Sequence, residues 1–282
     1  MASAWTKNRT RQEAIMLSDE DFKLLLDHLN RPWAGFRKIR KGVKKRVRRH
    51  MTEIGCAAVN DYLQLLDQDP EALTECEHRL LVTISRFYRD RLLWDHLQAS
   101  LLPALARRFP DGMHVWSAGC GRGEEPYSLS MVWEETAAAL FPAPELRIVA
   151  TDADPVNLEQ AMEGIYPPSS LKEIPEHARQ RWFHKARGRG QLKIDAHLRT
   201  RIDWHVHQLL APPPRDSFHL ILLRNNLLTY YQGAQLKNAL AQIIACLPAG
   251  GRLILGSHER LPTQFSQMAR DPQCPWVYQL KS

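Results

Sequence analysis

No apolar run in the 282 residues approaches the roughly 20 that a membrane-spanning helix requires. The opening stretch, MASAWTKNRTRQEAIM, carries charge where a secretory leader would carry an apolar core, so the expected location is the cytoplasm. Cysteine is sparse. Cys56, Cys76, Cys120, Cys246 and Cys274 are odd in number, scattered and never spaced as CxxC, which argues against a disulfide framework and against a zinc site. Among the twelve histidines only His205 and His207 share a face of an expected strand, and no third ligand stands nearby, so no metal is expected. Internal repeats and long low-complexity segments are also missing.

What is present is a folding composition, 44% hydrophobic and 24% charged, long enough for one large domain and one smaller. A formal net charge of +7 suits an acidic partner: nucleic acid, anionic lipid or an acidic protein surface. Charge alone does not choose among them.

A tail (1–17) precedes a helical unit expected over 18–88. In LSDEDFKLLLDHL, Ser18 reads as an N-cap with acids in the first turn. A basic helix is expected from Arg37 to His50, where Ile39, Val43, Val47 and Met51 recur every four residues as one narrow buried stripe and Gly55 ends the helix. Two further helices complete a small bundle. From Arg89 to residue 282 the pattern changes to strands alternating with helices: MHVWSAG, LRIVATD, IDWHVHQ, FHLILLRN and GRLILGS are the strands. That alternation predicts an α/β domain of the Rossmann-like kind, a mostly parallel sheet covered on both faces. An insert at about 181–200, containing KARGRGQLKID, reads as a short β-hairpin subdomain.

The turn WSAGCGRGEEP follows the first strand, and in such sheets ligands bind beyond the carboxyl ends of the strands. Its glycines do not match GxGxxG, it lacks the Lys-Ser/Thr pair of a P-loop, and Glu124 and Glu125 at the helix entrance would repel a pyrophosphate. A cationic or polyhydroxylated ligand fits better. Asp152, ending the next strand, occupies the place from which an acid accepts hydrogen bonds from ribose hydroxyls. A nucleoside without phosphates, such as S-adenosylmethionine, satisfies both features.

VWSAGCGRGEEPYSLSM, IVATDAD, LEQAMEGIY, FHLILLRNNLLTYY and LPAGGRLILGSHE occur in the order seen in chemotaxis-receptor glutamate methyltransferases of the CheR type, and the chain resembles that family over nearly its whole length. The basic helical start is similar to the family's N-terminal domain, and SRFYR resembles its TxFFR junction. The resemblance implies a class I S-adenosylmethionine-dependent methyltransferase fold with a small all-α domain before it, and methyl transfer to a carboxylate, a glutamate side chain of a chemoreceptor or other signalling protein. It implies cofactor contacts at Ser85, Arg89, Ala118, Gly119, Glu125, Asp152, Gln208, Leu209, Arg224 and Asn225. Arg89 and Arg224 are also expected to offer planar forks to the acceptor carboxylate. The family's RNVLIYF reads RNNLLTYY here, putting Thr229 where a substrate-facing tyrosine is expected, so either Tyr230 or Tyr231 substitutes or the acceptor differs; Tyr230 is assigned with the catalytic residues. Thr83 and Gln208 stand where the family has asparagine. The partner implied is an acidic helical receptor region meeting the basic helix 37–50, with the short hairpin not serving as a tether. Two alternatives stay open: a methyltransferase for nucleic acid or a small molecule, weakened by the lack of an Asn/Asp-Pro-Pro-aromatic motif at RNNL, and a degenerate cofactor-binding scaffold.

Overall fold

A computed structural model describes residues 17–83, 85–140 and 142–281. Most of the N-terminal tail, with the stretch read against a secretory leader, lies outside the described residues. The chain divides into two units, 1–82 and 83–282.

The first unit is helical. Ser18 caps α1 (Asp19–His28) through a reciprocal pair, accepting from Asp21 N at 2.9 Å while its own N–H donates to the Asp21 carboxylate at 3.0 Å. After α2 (Trp33–Phe36), residues 37–39 form a turn, so α3 (Arg40–Glu53) begins three residues later than the charge pattern suggests. Charge does not set a helix start; here Ile39 is the N-cap, without a side-chain cap. Val43, Val47 and Met51 are buried, α3 packs against α5, and Gly55 sits just past the helix at φ 80°. Helices α4 (Val59–Gln68) and α5 (Pro70–Leu80) follow, the latter capped by Asp69 with proline at the first position.

The basic residues of α3 and of the turn before it differ in what they reach, Arg49 pairing with Glu53 one turn on at 2.9 Å. Arg40 and Lys44 both reach Asp19, at 2.8 and 2.7 Å, and Arg46 donates to the carbonyls of Arg79 and Leu81 at 2.9 and 2.7 Å. These hold the bundle together. Lys38, Lys41, Lys45 and Arg48 have no side-chain partner among the described residues.

In the second unit, α6 (Arg91–His96) runs through a π-helical turn, Leu97–Leu101, into α7 (Leu102–Arg108). Alternation then follows: β1 (Met113–Ala118), α8 (Glu124–Ala137), β2 (Leu146–Asp152), α9 (Pro155–Glu163) and β3 (Ile165–Tyr166). The insert contributes α10 (Glu176–Trp182), β4 (Phe183–Lys185), β5 (Leu192–Ile194) and α11 (Ala196–Arg199). The chain ends with β6 (Ile202–Val206), β7 (Leu220–Leu223), α12 (Leu227–Tyr230), α13 (Gly233–Ala245), β8 (Arg252–Leu255), β9 (Met268–Arg270) and β10 (Val277–Leu280).

Seven strands form one sheet in the order β6-β2-β1-β7-β8-β10-β9, in which β10 alone runs against its neighbours. Alternating side chains feed two cores. Val115, Leu220 and Leu222 face the side covered by α8, while Trp116, Ile221 and Leu223 face the side that receives Leu240, Ile243 and Ile244 of α13. The order reverses between β1 and β7, which makes the space beyond their carboxyl ends the topological switch point of the sheet. The insert is a three-stranded antiparallel sheet, β3-β5-β4: the hairpin β4–β5 gains a third strand from Ile165–Tyr166, too short to announce itself in sequence.

Candidate active site

The chain leaves β1 at Ala118 and turns through Gly119 at φ 74° and Gly121 at φ 58°, a left-handed region that a side chain rarely adopts. A Cβ on Gly121 would also come within 3.3 Å of Thr83. Asp152 fastens this turn. Its Oδ2 accepts from Gly121 N at 2.8 Å, and its Oδ1 accepts from Asp154 N and Asn157 Nδ2, both at 3.0 Å. Burial pushes its carboxyl above the ordinary value, against the pull of those donors. Asn157 Nδ2 donates also to Thr83 Oγ1 at 2.9 Å, so the residue that replaces the family's asparagine is tied to Asp152 through one amide. His207 N donates to Asp152 O at 2.9 Å, and Gln208 and Leu209 therefore leave β6 beside the same carboxylate.

The two glutamates of GEEP part company. Glu124 is 3% exposed, its carboxyl raised by burial and helped in the opposite direction by the helix-end N–H, Arg122 and a hydrogen bond to Ser85. Glu125 instead faces the switch point: Oε1 accepts from Ser117 Oγ at 2.7 Å and Oε2 from Arg224 Nη1 at 2.9 Å. Arg224, with its side chain 3% exposed, sends Nη2 to Asp90 Oδ2 at 2.7 Å and to the Arg89 carbonyl at 2.9 Å. Both terminal nitrogens are committed to the protein. Its geometry is that of a clamp behind Glu125, and a planar fork toward an acceptor would require breaking those bonds.

The segment after β7 is equally tied down. Asn226 Nδ2 donates to the Ala118 carbonyl across the switch point, and its side chain occupies the space a Cβ on Gly119 would need. Asn225 adopts φ 56°, with its amide donating to Glu259 Oε2 at 2.9 Å. That same oxygen accepts from Gly256 N at 2.7 Å, while Glu259 Oε1 accepts from Thr229 Oγ1 at 2.6 Å. Thr229 is therefore occupied as a structural tie. Next to it, burial pushes the Tyr230 phenol up to about 12, with the Arg89 charge lowering it and that of Glu259 raising it.

The structure thus brings Ala118, Gly119, Glu125, Asp152, Arg224 and Asn225 to the carboxyl ends of β1, β2 and β7, with Ser85 beside the glycine turn and Gln208 and Leu209 just past β6. It adds Ser117, Asp90, Asn157, Asn226 and Glu259, which sequence reasoning missed. Only RNN and the GSHE after β8 hinted at two of them, since a polar residue just past a buried strand marks the open end of a sheet.

A model of the CheR methyltransferase SAM-binding domain matches residues 83–277. The chain belongs to the CheR methyltransferase family. A probable chemotaxis protein methyltransferase of Rhizobium etli is 29% identical over 78% of this chain and 84% of its own length, and a chemotaxis protein methyltransferase of Listeria monocytogenes is 29% identical over 78% and 81%. An uncharacterized 104.1 kDa protein of Rhodobacter capsulatus is 31% identical over 78% of this chain, which spans 23% of that protein. The expected family, fold class and cofactor, S-adenosylmethionine, are borne out by these matches. The residues fit that cofactor: one carboxylate at the end of β2 and one in the first turn of α8 suit a ribose and an ammonium group, and the glycine turn between β1 and α8 carries no lysine for a phosphate. Among the described residues no cluster of His, Cys, Asp and Glu suits a metal, and no helix is long and apolar enough to cross a membrane.

Proposed function

We propose that this chain transfers the methyl group of S-adenosylmethionine to a glutamyl carboxylate on a chemoreceptor or other signalling protein. The observation that carries the reading is the Glu125–Arg224 clamp at the switch point, with Arg89 near enough to the protonated phenol of Tyr230 for its charge to act on it. Bound cofactor supplies an electrophilic methyl on a sulfonium. Glu125 receives its ammonium end, Asp152 its ribose hydroxyls through the lone pairs left on Oδ2, Ala118 and Gly119 allow close approach of the main chain, and Ser85, Gln208, Leu209 and Asn225 line the remainder.

A glutamyl acceptor is ionised at neutral pH, with an ordinary pKa of about 4.3, so the reaction needs no strong general base. It needs alignment and removal of water. Arg89 and Tyr230 supply two donors for the acceptor's oxygens. Arg224 serves by holding Glu125.

The partner surface is the basic face carrying Lys38, Lys41, Lys45 and Arg48, whose single sign of charge steers an acidic helix toward it. A cytoplasmic setting agrees with five free, buried thiols.

Calorimetric titration with S-adenosylmethionine and S-adenosylhomocysteine, with Asp152→Ala as the control, tests the pocket. Labelled methyl donor incubated with receptor fragments then tests the acceptor. A carboxyl methyl ester releases its label as methanol in alkali; alkali-stable label overturns the glutamyl acceptor in favour of a nucleic-acid or amine acceptor, and cofactor binding without product in any fraction favours the scaffold.

A further inference from the structure

Tyr88 and Asp90 both adopt the left-handed region, at φ 53° and 64°, so Arg89 stands between two conformations that non-glycine residues seldom take. Each such conformation is strained and persists only where its surroundings over-determine it. Those surroundings are specific. Tyr88 N donates to Ser128 Oγ at 3.0 Å, and the Arg89 carbonyl accepts from Trp94 Nε1 at 2.8 Å and from Arg224 Nη2 at 2.9 Å. Asp90 uses both oxygens, taking Arg224 Nη2 on Oδ2 at 2.7 Å and Ser257 Oγ on Oδ1 at 3.2 Å.

We infer that Asp90 is a positioning residue: through Arg224 it sets the Glu125 carboxylate that receives the amino-acid end of the cofactor. The inference rests on the cofactor site proposed above. Arg224 bonds Asp90 and Glu125 through different nitrogens, so the two carboxylates share one buried cation and fix its plane between them. With Asp90 removed, Nη2 keeps only the Arg89 carbonyl, the cation is drawn wholly to Glu125, and the Glu125 carboxylate becomes a poorer partner for a ligand ammonium. Ser257 extends the same restraint to the segment just past β8, so the Tyr88–Asp90 turn, the clamp and that strand end are tied to one another. Asp152, proposed above for the adenosine end, is fixed by separate donors, Gly121 N and Asn157 Nδ2, and lies outside this linkage.

The test compares two probes on wild type, Asp90→Ala and Asp90→Asn by calorimetry: S-adenosylhomocysteine, which has the amino-acid end, and 5′-methylthioadenosine, which lacks it. Asp90→Ala is expected to weaken S-adenosylhomocysteine at least tenfold while methylthioadenosine changes less than twofold, and Asp90→Asn, which keeps a hydrogen-bonding oxygen and tolerates the left-handed backbone, to recover part of the loss. A loss for S-adenosylhomocysteine less than fivefold greater than that for methylthioadenosine, as a general structural defect would give, overturns the inference. Wild-type protein that binds neither probe overturns the cofactor site itself, which keeps the two failures apart.

Discussion

Thr229 donates its hydroxyl to Glu259 across 2.6 Å, and the other oxygen of that carboxylate collects the amides of Asn225 and Gly256. One buried side chain thereby joins the ends of β7 and β8 to α12. Thr229→Val strips Oε1 of its donor and is expected to lower unfolding stability by about 1–3 kcal/mol, the desolvation penalty of an unsatisfied buried group, while Thr229→Ser stays close to wild type. Urea denaturation of the two variants checks it, and equal losses would show that the hydroxyl bond is not the cause.

Arg224 presents a harsher case, being a buried cation between two carboxylates. Arg224→Ala leaves Glu125 and Asp90 unpaired and is expected to cost about 3–5 kcal/mol, measurable as a lower denaturation midpoint. Stability within 1 kcal/mol of wild type would mean that water reaches both carboxylates freely.

For the cofactor, Glu125→Ala and Asp152→Ala should each weaken S-adenosylhomocysteine by about 1–3 kcal/mol per lost charged hydrogen bond. Calorimetry reads this directly, and unchanged affinity in both variants would discredit the pocket.

Glu124 gives a pH signature. Its folded carboxyl is raised by burial, so ionisation penalises the folded state at pH above that raised value and the penalty disappears below the unfolded value, near 4.5. Glu124→Gln removes the titration. It should therefore raise the melting temperature at pH 7.5 relative to wild type, and the advantage should shrink as pH falls through the Glu124 value. A difference independent of pH would contradict this account.

The basic face separates binding from stability. Reversing Lys41, Lys45 and Arg48 to glutamate should abolish salt-sensitive association with an acidic helical peptide and leave the melting temperature within a few degrees. Reversing Arg40 and Lys44, which pair with Asp19, should lower it instead. Association that survives the first set would move the partner surface elsewhere.

The fold was legible where period and turn chemistry agree. Ser18, the Val43–Val47–Met51 stripe and the strands flanking WSAGCGRGEEP each obey a local rule. Strands β9 and β10 were not legible, because at three and four residues they are too short to show a period, and their pairing depends on the antiparallel return of β10 onto β8. At the site, the glycine turn, Glu125 and Asp152 could be read from strand ends. Asp90 and Glu259 could not, since Arg224 and Ser257 for the one, and Thr229 and Asn225 for the other, lie thirty or more residues away, and Asp90 also depends on a backbone angle that no residue type announces. Thr229 was read as a departure at an acceptor-facing position; its hydroxyl belongs to Glu259.

The π-helical turn at Leu97–Leu101 holds one more residue per turn than the helices on either side. Because it absorbs that residue, one deletion within it would heal the turn into ordinary helix with α6 and α7 keeping their faces, whereas a deletion in α6 just after Trp94 would rotate the start of α6 against α7 by about 100°. Trp94 would then swing out from beneath Arg89 while Leu102 and Leu105 kept their places. Single-residue deletions should consequently be tolerated in the β4–β5 connection and within Leu97–Leu101, and disrupt packing elsewhere between Trp94 and Leu105.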